Sequence, residues 1–194
     1  MNGQFRRWAY SSGVFILANY AVIAQSVLNP PFGLNWGDSP EKLIAWASRQ
    51  SLGITISIPG TQPSLRILRI QPETGFLPET QVGALEGRFI KGKLYELTVH
   101  YFDPAATAEQ MESRFEVLRQ QTSSDQGPLL ANQQRRTVKD HFMTRTQSFH
   151  REPVKGIFLL LTYTEEEDLL RKSKQARFSL VYQNDNCKRE WSGL

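Results

Sequence analysis

The sequence predicts an α+β domain in which an antiparallel sheet carries two main helices packed on one face. Two segments begin with strong helix N-terminal signals, at Ser39 and at Thr107. Several runs of β-branched or alternating residues, bounded by Gly and Pro, predict strands. A chain of 194 residues, 40% of them hydrophobic, is long and apolar enough to bury one core. The helix residues assigned to that core are Leu43, Ile44, Phe115 and Leu118.

The first 24 residues have the layout of a signal peptide. Arg6 and Arg7 precede an apolar run over 14–24 that ends in small residues. This run is shorter than the roughly 20 apolar residues that cross a bilayer. We therefore expect cleavage after Ala24 and an exported, periplasmic or secreted protein. Membrane attachment is expected only if the segment stays uncleaved. Removing its two arginines lowers the formal charge from +4 to +2.

Composition divides the chain into a signal peptide (1–24), a linker (25–31), one α+β domain (32–183) and a polar C-terminal tail (184–194). The single cysteine, Cys187, falls in the tail, where we expect an unpaired surface thiol.

The domain begins with a helix whose N-cap is Asp38 or Ser39, with Pro40 in its first turn. Two short strands, 54–60 and 64–70, and a long loop follow. Next comes a hairpin, 84–90 and 93–102, turning at 91–92. In its second strand an apolar face alternates with a polar face that includes His100.

The second helix starts at Thr107, with Gln110 placed for a capping box, and a loop follows at 122–128. The pattern over 129–152 predicts two irregular strands. Successive apolar residues at 156–163 predict a central strand buried on both faces. The acids and bases of 164–174, spaced i,i+4, predict a short helix, with a hairpin tip as the alternative. Residues 176–183 form the last predicted strand.

The two helix starts share the pattern [ST]-x-E-x-[LM], at 39–43 and 107–111, and extended segments follow each. A doubled helix-plus-strands unit would explain this. The features common to all good helix starts would explain it equally.

Catalytic motifs are absent from the sequence. The Gly37-Asp38-Ser39 triplet resembles the nucleophile block of the Gly-Asp-Ser-Leu esterases, whose base comes from a D-x-x-H. None of the three histidines has an aspartate three residues upstream. Ser39 is better explained as a helix start, so we predict no catalytic residues and no enzyme activity.

Metal and cofactor motifs are absent too. There is no H-E-x-x-H, no second cysteine and no Gly-rich nucleotide loop. His141 and His150, if they converged across adjacent strands, would make only a weak site. We therefore predict no metal site and no cofactor.

One segment, 133–155, carries six Lys or Arg against two acids. Its cations are candidates for a basic face that binds anionic lipid, polysaccharide or an acidic protein. The alternative is a solvated outer face. Nucleic acid is not expected as a partner of an exported protein with a charge near +2. The candidate residues are Arg135, Arg136, Lys139, Arg145 and Arg151.

The string FGLNWGDSPEKL resembles the G-x-x-W-G-x-S-x-E start of small exported bacterial proteins of unknown function, and the likeness extends loosely over 32–163. The helix-plus-sheet layout also looks like outer-membrane assembly lipoproteins and secreted β-lactamase inhibitor proteins. The first resemblance carries no known activity, and the second implies a protein-binding module. The chain lacks the lipid-attachment cysteine and the disulfides of those proteins.

We therefore expect an exported, non-catalytic protein that binds another protein or an envelope component. The alternatives are a small-ligand carrier or a hydrolase with a site built from scattered loops such as 76–81, and an immunity or inhibitor protein.

Overall fold

The computed structural model describes residues 28–78 and 80–192, which form one eight-stranded antiparallel sheet with three helices. The predicted signal peptide and cleavage site lie outside the described residues. The first four strands follow α1, and the last four follow α2. The elements are α1 (Pro40–Arg49), β1 (Gly53–Ser57), β2 (Leu65–Gln71), β3 (Ala84–Ile90), β4 (Lys93–Phe102), α2 (Ala108–Gln126), β5 (Leu130–Lys139), β6 (Phe142–Val154), β7 (Ile157–Asp168), β8 (Ser173–Asn184) and α3 (Asp185–Ser192).

The strand order, β1-β2-β3-β4-β8-β7-β6-β5, joins two meanders at their last strands. We call α1 with β1–β4 the N-terminal half, and α2 with β5–β8 the C-terminal half. The β4–β8 ladder, from Glu96↔Gln183 to Phe102↔Arg177, is the seam between them. The outer edges of the sheet are β1 and β5.

Each half has its own core cluster. In the N-terminal half, Leu43 and Ala47 of α1 pack with buried residues of β2, β3 and β4. In the C-terminal half, Met111 and Phe115 of α2 pack with buried residues of β7 and β8. Tyr101, at the seam, contacts both clusters.

The predicted helix starts differ in their caps. Thr107 and Gln110 form the predicted capping box, each side chain accepting a hydrogen bond from the other residue's backbone N–H. Ser39 occupies the N-cap position of α1, but its side chain makes no capping hydrogen bond. The neighbouring Asp38 carboxylate instead accepts from the Asn35 backbone and pairs with Lys42 at 2.6 Å.

The strand buried on both faces is β4, whereas we predicted this for 156–163. In β7, side chains alternate between buried and half-buried, which is the pattern of a strand covered on one face. In β4, Glu96 and Thr98 are buried as well as Leu97 and Val99. The reason is position: β4 lies in the middle of the sheet, and α3 packs against it.

The predicted helix at 164–174 is wrong. Residues up to Asp168 continue β7, and β8 begins at Ser173 after a short turn. The Asp168 carboxylate accepts the backbone N–H groups of Leu170 and Arg171, which closes the turn.

Parts of both segments that flank the predicted domain pack against it. The expected polar tail forms α3, where Cys187 is half-buried beside Trp191 in a small cluster with Leu65, Ile90 and Tyr95. In the expected linker, Leu28 is buried, and its carbonyl oxygen accepts a hydrogen bond from the Trp36 indole at 2.8 Å. Among the described residues, no helix is long and apolar enough to cross a membrane.

Candidate functional site

The main candidate site is a groove of about 730 Å³ on one face of the sheet, near the end of the seam. Residues paired directly across strands share a face. His100 pairs with Ser179, which pairs with Thr162, so these side chains lie on one face, which we call the His100 face. The groove opens on this face, beside the loop that leads into α2.

Two guanidinium groups, from Arg69 of β2 and Arg177 of β8, line the groove on either side of β4. Arg177 pairs with Glu166 of β7 at 2.8 Å, and both side chains are largely exposed. Arg69 lies 3.9 Å from the Glu86 carboxylate. The Arg177–Glu166 pair is weak because it is exposed, and the Arg69–Glu86 pair is weak because it is long, so an incoming anion can compete for both guanidinium groups.

His100 lies between these arginines, and its Nε2 atom is buried without a hydrogen-bond partner. Burial lowers the pKa of His100, and the positive charge of Arg69 and Arg177 lowers it further, while Glu86 acts in the opposite direction. The ring is therefore neutral near neutral pH, with one nitrogen available to a ligand or a water molecule.

Hydroxyl groups are frequent on the His100 face in the C-terminal half, beside apolar residues such as Leu160 and Val181. The cross-strand partners of β6, β7 and β8 place them in adjacent rows. The hydroxyl-bearing residues of these three strands on this face are Thr144, Thr146, Ser148, Thr162, Thr164, Ser173 and Ser179. Hydroxyl groups both donate and accept hydrogen bonds, so this surface suits a polar, hydrogen-bonding partner.

The five predicted basic residues do not share one face. The register places Arg135, opposite Thr146, on the His100 face, and Lys139 lies four residues further along the same strand. Arg136 and Arg145 are paired with each other on the opposite face, where Arg151 also lies.

Arg145 is held inside the fold. Its guanidinium contacts the Glu112 carboxylate of α2 at 2.9 Å and the buried Glu165 at 3.3 Å. It also lies over the ring of Tyr163, whose pKa burial and the nearby Glu165 raise to about 12. Arg145 therefore fastens α2 to the sheet.

Arg151 is also held, because its guanidinium covers Gly127 and donates to the Pro128 carbonyl at 3.3 Å. The three remaining cations, Arg135, Arg136 and Lys139, all lie on the exposed strand β5.

The other candidate residues from the sequence, His141, His150 and the loop 76–81, do not line the groove. His141 lies in the β5–β6 turn with its ring tilted against Phe142, whereas His150 lies near the far end of β6, so the two do not converge. In the described part of the chain, no three His, Cys, Asp or Glu residues form a metal-binding group. Within the loop 76–81, Leu77 is buried in the N-terminal core, and residue 79 lies outside the described residues.

Comparison with models of known protein families finds none that matches this chain, and comparisons with curated proteins and with solved structures also find no match.

Proposed function

We propose that this protein is an exported, non-catalytic binding protein that holds another protein or an anionic envelope component against the His100 face. The signal-peptide pattern of residues 1–24 supports export. The observation that carries the binding proposal is the groove in which Arg69 and Arg177 flank the unpartnered His100 nitrogen.

We further infer that α1 and α2 lie together on the face opposite His100. Leu43 of α1 packs with Leu97, and Phe115 of α2 packs with Leu180; both strand residues are offset by an odd number of positions from the His100 face. This arrangement leaves the His100 face to α3 at one end and to a partner elsewhere. The element order, in which α1 and α2 each precede four strands, also supports the proposal of a doubled helix-plus-strands unit.

Native mass spectrometry of the full chain, gently extracted from its own host, tests the proposal. We expect a stoichiometric partner or ligand in the spectrum of the parent protein. In the double variant Arg69→Gln/Arg177→Gln this species should be lost, because the groove no longer carries the two guanidinium groups that flank His100. The matched control is Arg66→Gln, an exposed arginine on the other face of β2. A protein that always appears alone would contradict the proposal.

A small-ligand carrier is the second candidate, and the size of the groove favours it. Ligand pockets commonly enclose about 300–1,000 Å³, and the groove lies within that range. The same spectrum separates the two candidates, because a carrier shows an added mass of a few hundred daltons instead of a second protein chain.

A further inference from the structure

Strand β5 forms an unusually open edge of the sheet. Among the residues that the structure describes, it pairs only with β6, and all ten of its residues are exposed. In an antiparallel pair, alternate backbone groups point away from the neighbouring strand. One row of N–H and C=O groups along β5 is therefore free to pair with another extended chain.

The opposite edge is much better protected. Strand β1 is five residues long, and Pro59 follows closely after its end. A short strand next to a proline offers few backbone groups to an incoming chain. By contrast, β5 is ten residues long and contains no proline, glycine or acidic residue.

The positive charges of β5 indicate that a strand pairing with it is acidic. None of the ion pairs found among the described residues includes Arg135, Arg136 or Lys139, whereas Arg145 of β6 and Arg177 of β8 are both paired. Two copies of β5 paired with each other would bring these cations close together, and like charges opposite each other destabilise a ladder. An acidic strand would instead neutralise them.

We propose that β5 accepts an extended, acidic segment of another protein as a ninth strand of the sheet. This inference rests on the proposed binding function and names its partner chemistry. Backbone hydrogen bonds supply the affinity, and side chains on alternate positions supply the specificity. The segment carries acids facing Arg135 and Lys139 on the His100 face and an acid facing Arg136 on the other.

The register predicts which amides are free. Lys139 and Phe142 close a two-residue turn and form a hydrogen-bonded pair, so the N–H groups of Lys139, Thr137 and Arg135 point towards β6. The N–H of Gln134 then points outward. Proline at position 134 removes that outward donor without breaking the β5–β6 ladder.

The experiment measures binding of a synthetic acidic peptide to the full chain by fluorescence anisotropy. The peptide is as long as β5, rich in Thr and Val, and carries three glutamates; a second peptide carries lysines in their place. We expect the acidic peptide to bind at least about tenfold more tightly, since each opposite-charge pair adds a fraction of a kcal/mol. Equal binding of the two peptides would overturn the charge selection.

Two variants at one position separate strand addition from general electrostatic attraction. Gln134→Pro should weaken peptide binding at least about tenfold, whereas Gln134→Thr keeps the amide and should bind like the parent. Thermal unfolding checks that both variants fold. Equal binding by the proline and threonine variants would overturn strand addition.

Charge reversal gives an independent readout. Arg135→Glu/Lys139→Glu should reverse the preference, so that the lysine peptide binds more tightly than the glutamate peptide. Sedimentation of the parent chain tests the other occupant of this edge, because a dimer that Gln134→Pro dissociates would replace the acidic partner with a second copy.

The native mass spectrometry of the groove variants and the peptide-binding experiment on β5 test different proposals. If neither peptide binds but the native complex persists and depends on Arg69 and Arg177, the β5 inference fails and the proposed function stands. If the native spectra show no partner, the proposed function fails. Peptide binding would then show only that the β5 edge accepts an added strand.

Discussion

The two halves of the molecule follow the same element order but bury their strands very differently. In the N-terminal half, β3 is buried along most of its length, and the outer strand is short. In the C-terminal half, strands of ten to thirteen residues reach beyond the core, and β5 is exposed throughout. Leu130, Val138, Phe142 and Leu170, all in this half, have exposed side chains. The comparison indicates that each half contributes a core, whereas the C-terminal half also extends surface towards solvent.

The largest expected effects come from creating a cavity in the core of each half in turn. Phe115→Ala should lower the free energy of unfolding by about 3–5 kcal/mol, because the ring is fully buried against Tyr163 and Phe178. Leu43→Ala should cost about 2–5 kcal/mol in the N-terminal half. Urea unfolding followed by circular dichroism measures both. If Phe115→Ala produced two separate transitions, the halves would be independent folding units and not one cooperative domain.

The seam between the halves is tested at Gly83. A Cβ atom there would lie 2.4 Å from the Phe102 ring, so Gly83→Ala forces the ring to move at the end of the β4–β8 ladder. We expect a loss of about 1–3 kcal/mol in urea unfolding. Gly60→Ala, where a Cβ meets nothing within 4 Å, is the matched control. Equal costs at both positions would show that Phe102 is not fixed at the seam.

The two helix starts provide a smaller contrast. Thr107→Ala removes a complete capping box and should cost about 1 kcal/mol. Ser39→Ala removes a hydroxyl that makes no cap and should cost less than about 0.5 kcal/mol. Thermal unfolding at one pH compares the pair. A larger loss of stability in Ser39→Ala than in Thr107→Ala would mean that the Ser39 hydroxyl stabilises α1 through a contact that the structure does not show.

The smallest expected effect is a change in pH dependence at His100. Its pKa is lowered in the folded protein from the ordinary 6.5, so the unfolded chain binds more protons in the window just below that pH. The contribution of neutral His100 to the free energy of unfolding is therefore fully present above about pH 6.5. It is lost as the pH is lowered through this window. In His100→Gln, the plot of unfolding free energy against pH should be flatter below pH 6.5 than in the parent. An unchanged slope would contradict the burial of this ring among cations.

Local features of the fold were predictable from the sequence where one signal dominated. Thr107 and Gln110 have a spacing that only a helix N-terminus satisfies, and the predicted capping box is present. The segment 164–174 was ambiguous, because alternating charges favour a helix by i,i+4 pairing or a hairpin by cross-strand pairing. The hairpin forms, with Glu167 3.7 Å from Lys174 on the paired strand.

The groove was not predictable, because its residues are brought together by long-range pairing. Arg69, His100 and Arg177 lie on β2, β4 and β8, and only the ladders through β3 and across the seam place them side by side. One signal for this face was present in the sequence: Thr144, Thr146 and Ser148 alternate along β6. A period of two in hydroxyl side chains marks one face of a strand.

The strand order also has a consequence for how the chain reaches its native state. Within each half, every strand pairs with its neighbour in sequence, whereas β4 finds its second partner only in β8, the last strand made. Local ladders close quickly, and a ladder between distant segments closes late because a long loop must be ordered first. During synthesis, β4 therefore has one unpaired edge, and it is largely apolar, for as long as β8 is missing. A chaperone that shields extended apolar segments would act on this strand, and truncation before Ser173 would leave it permanently open to aggregation.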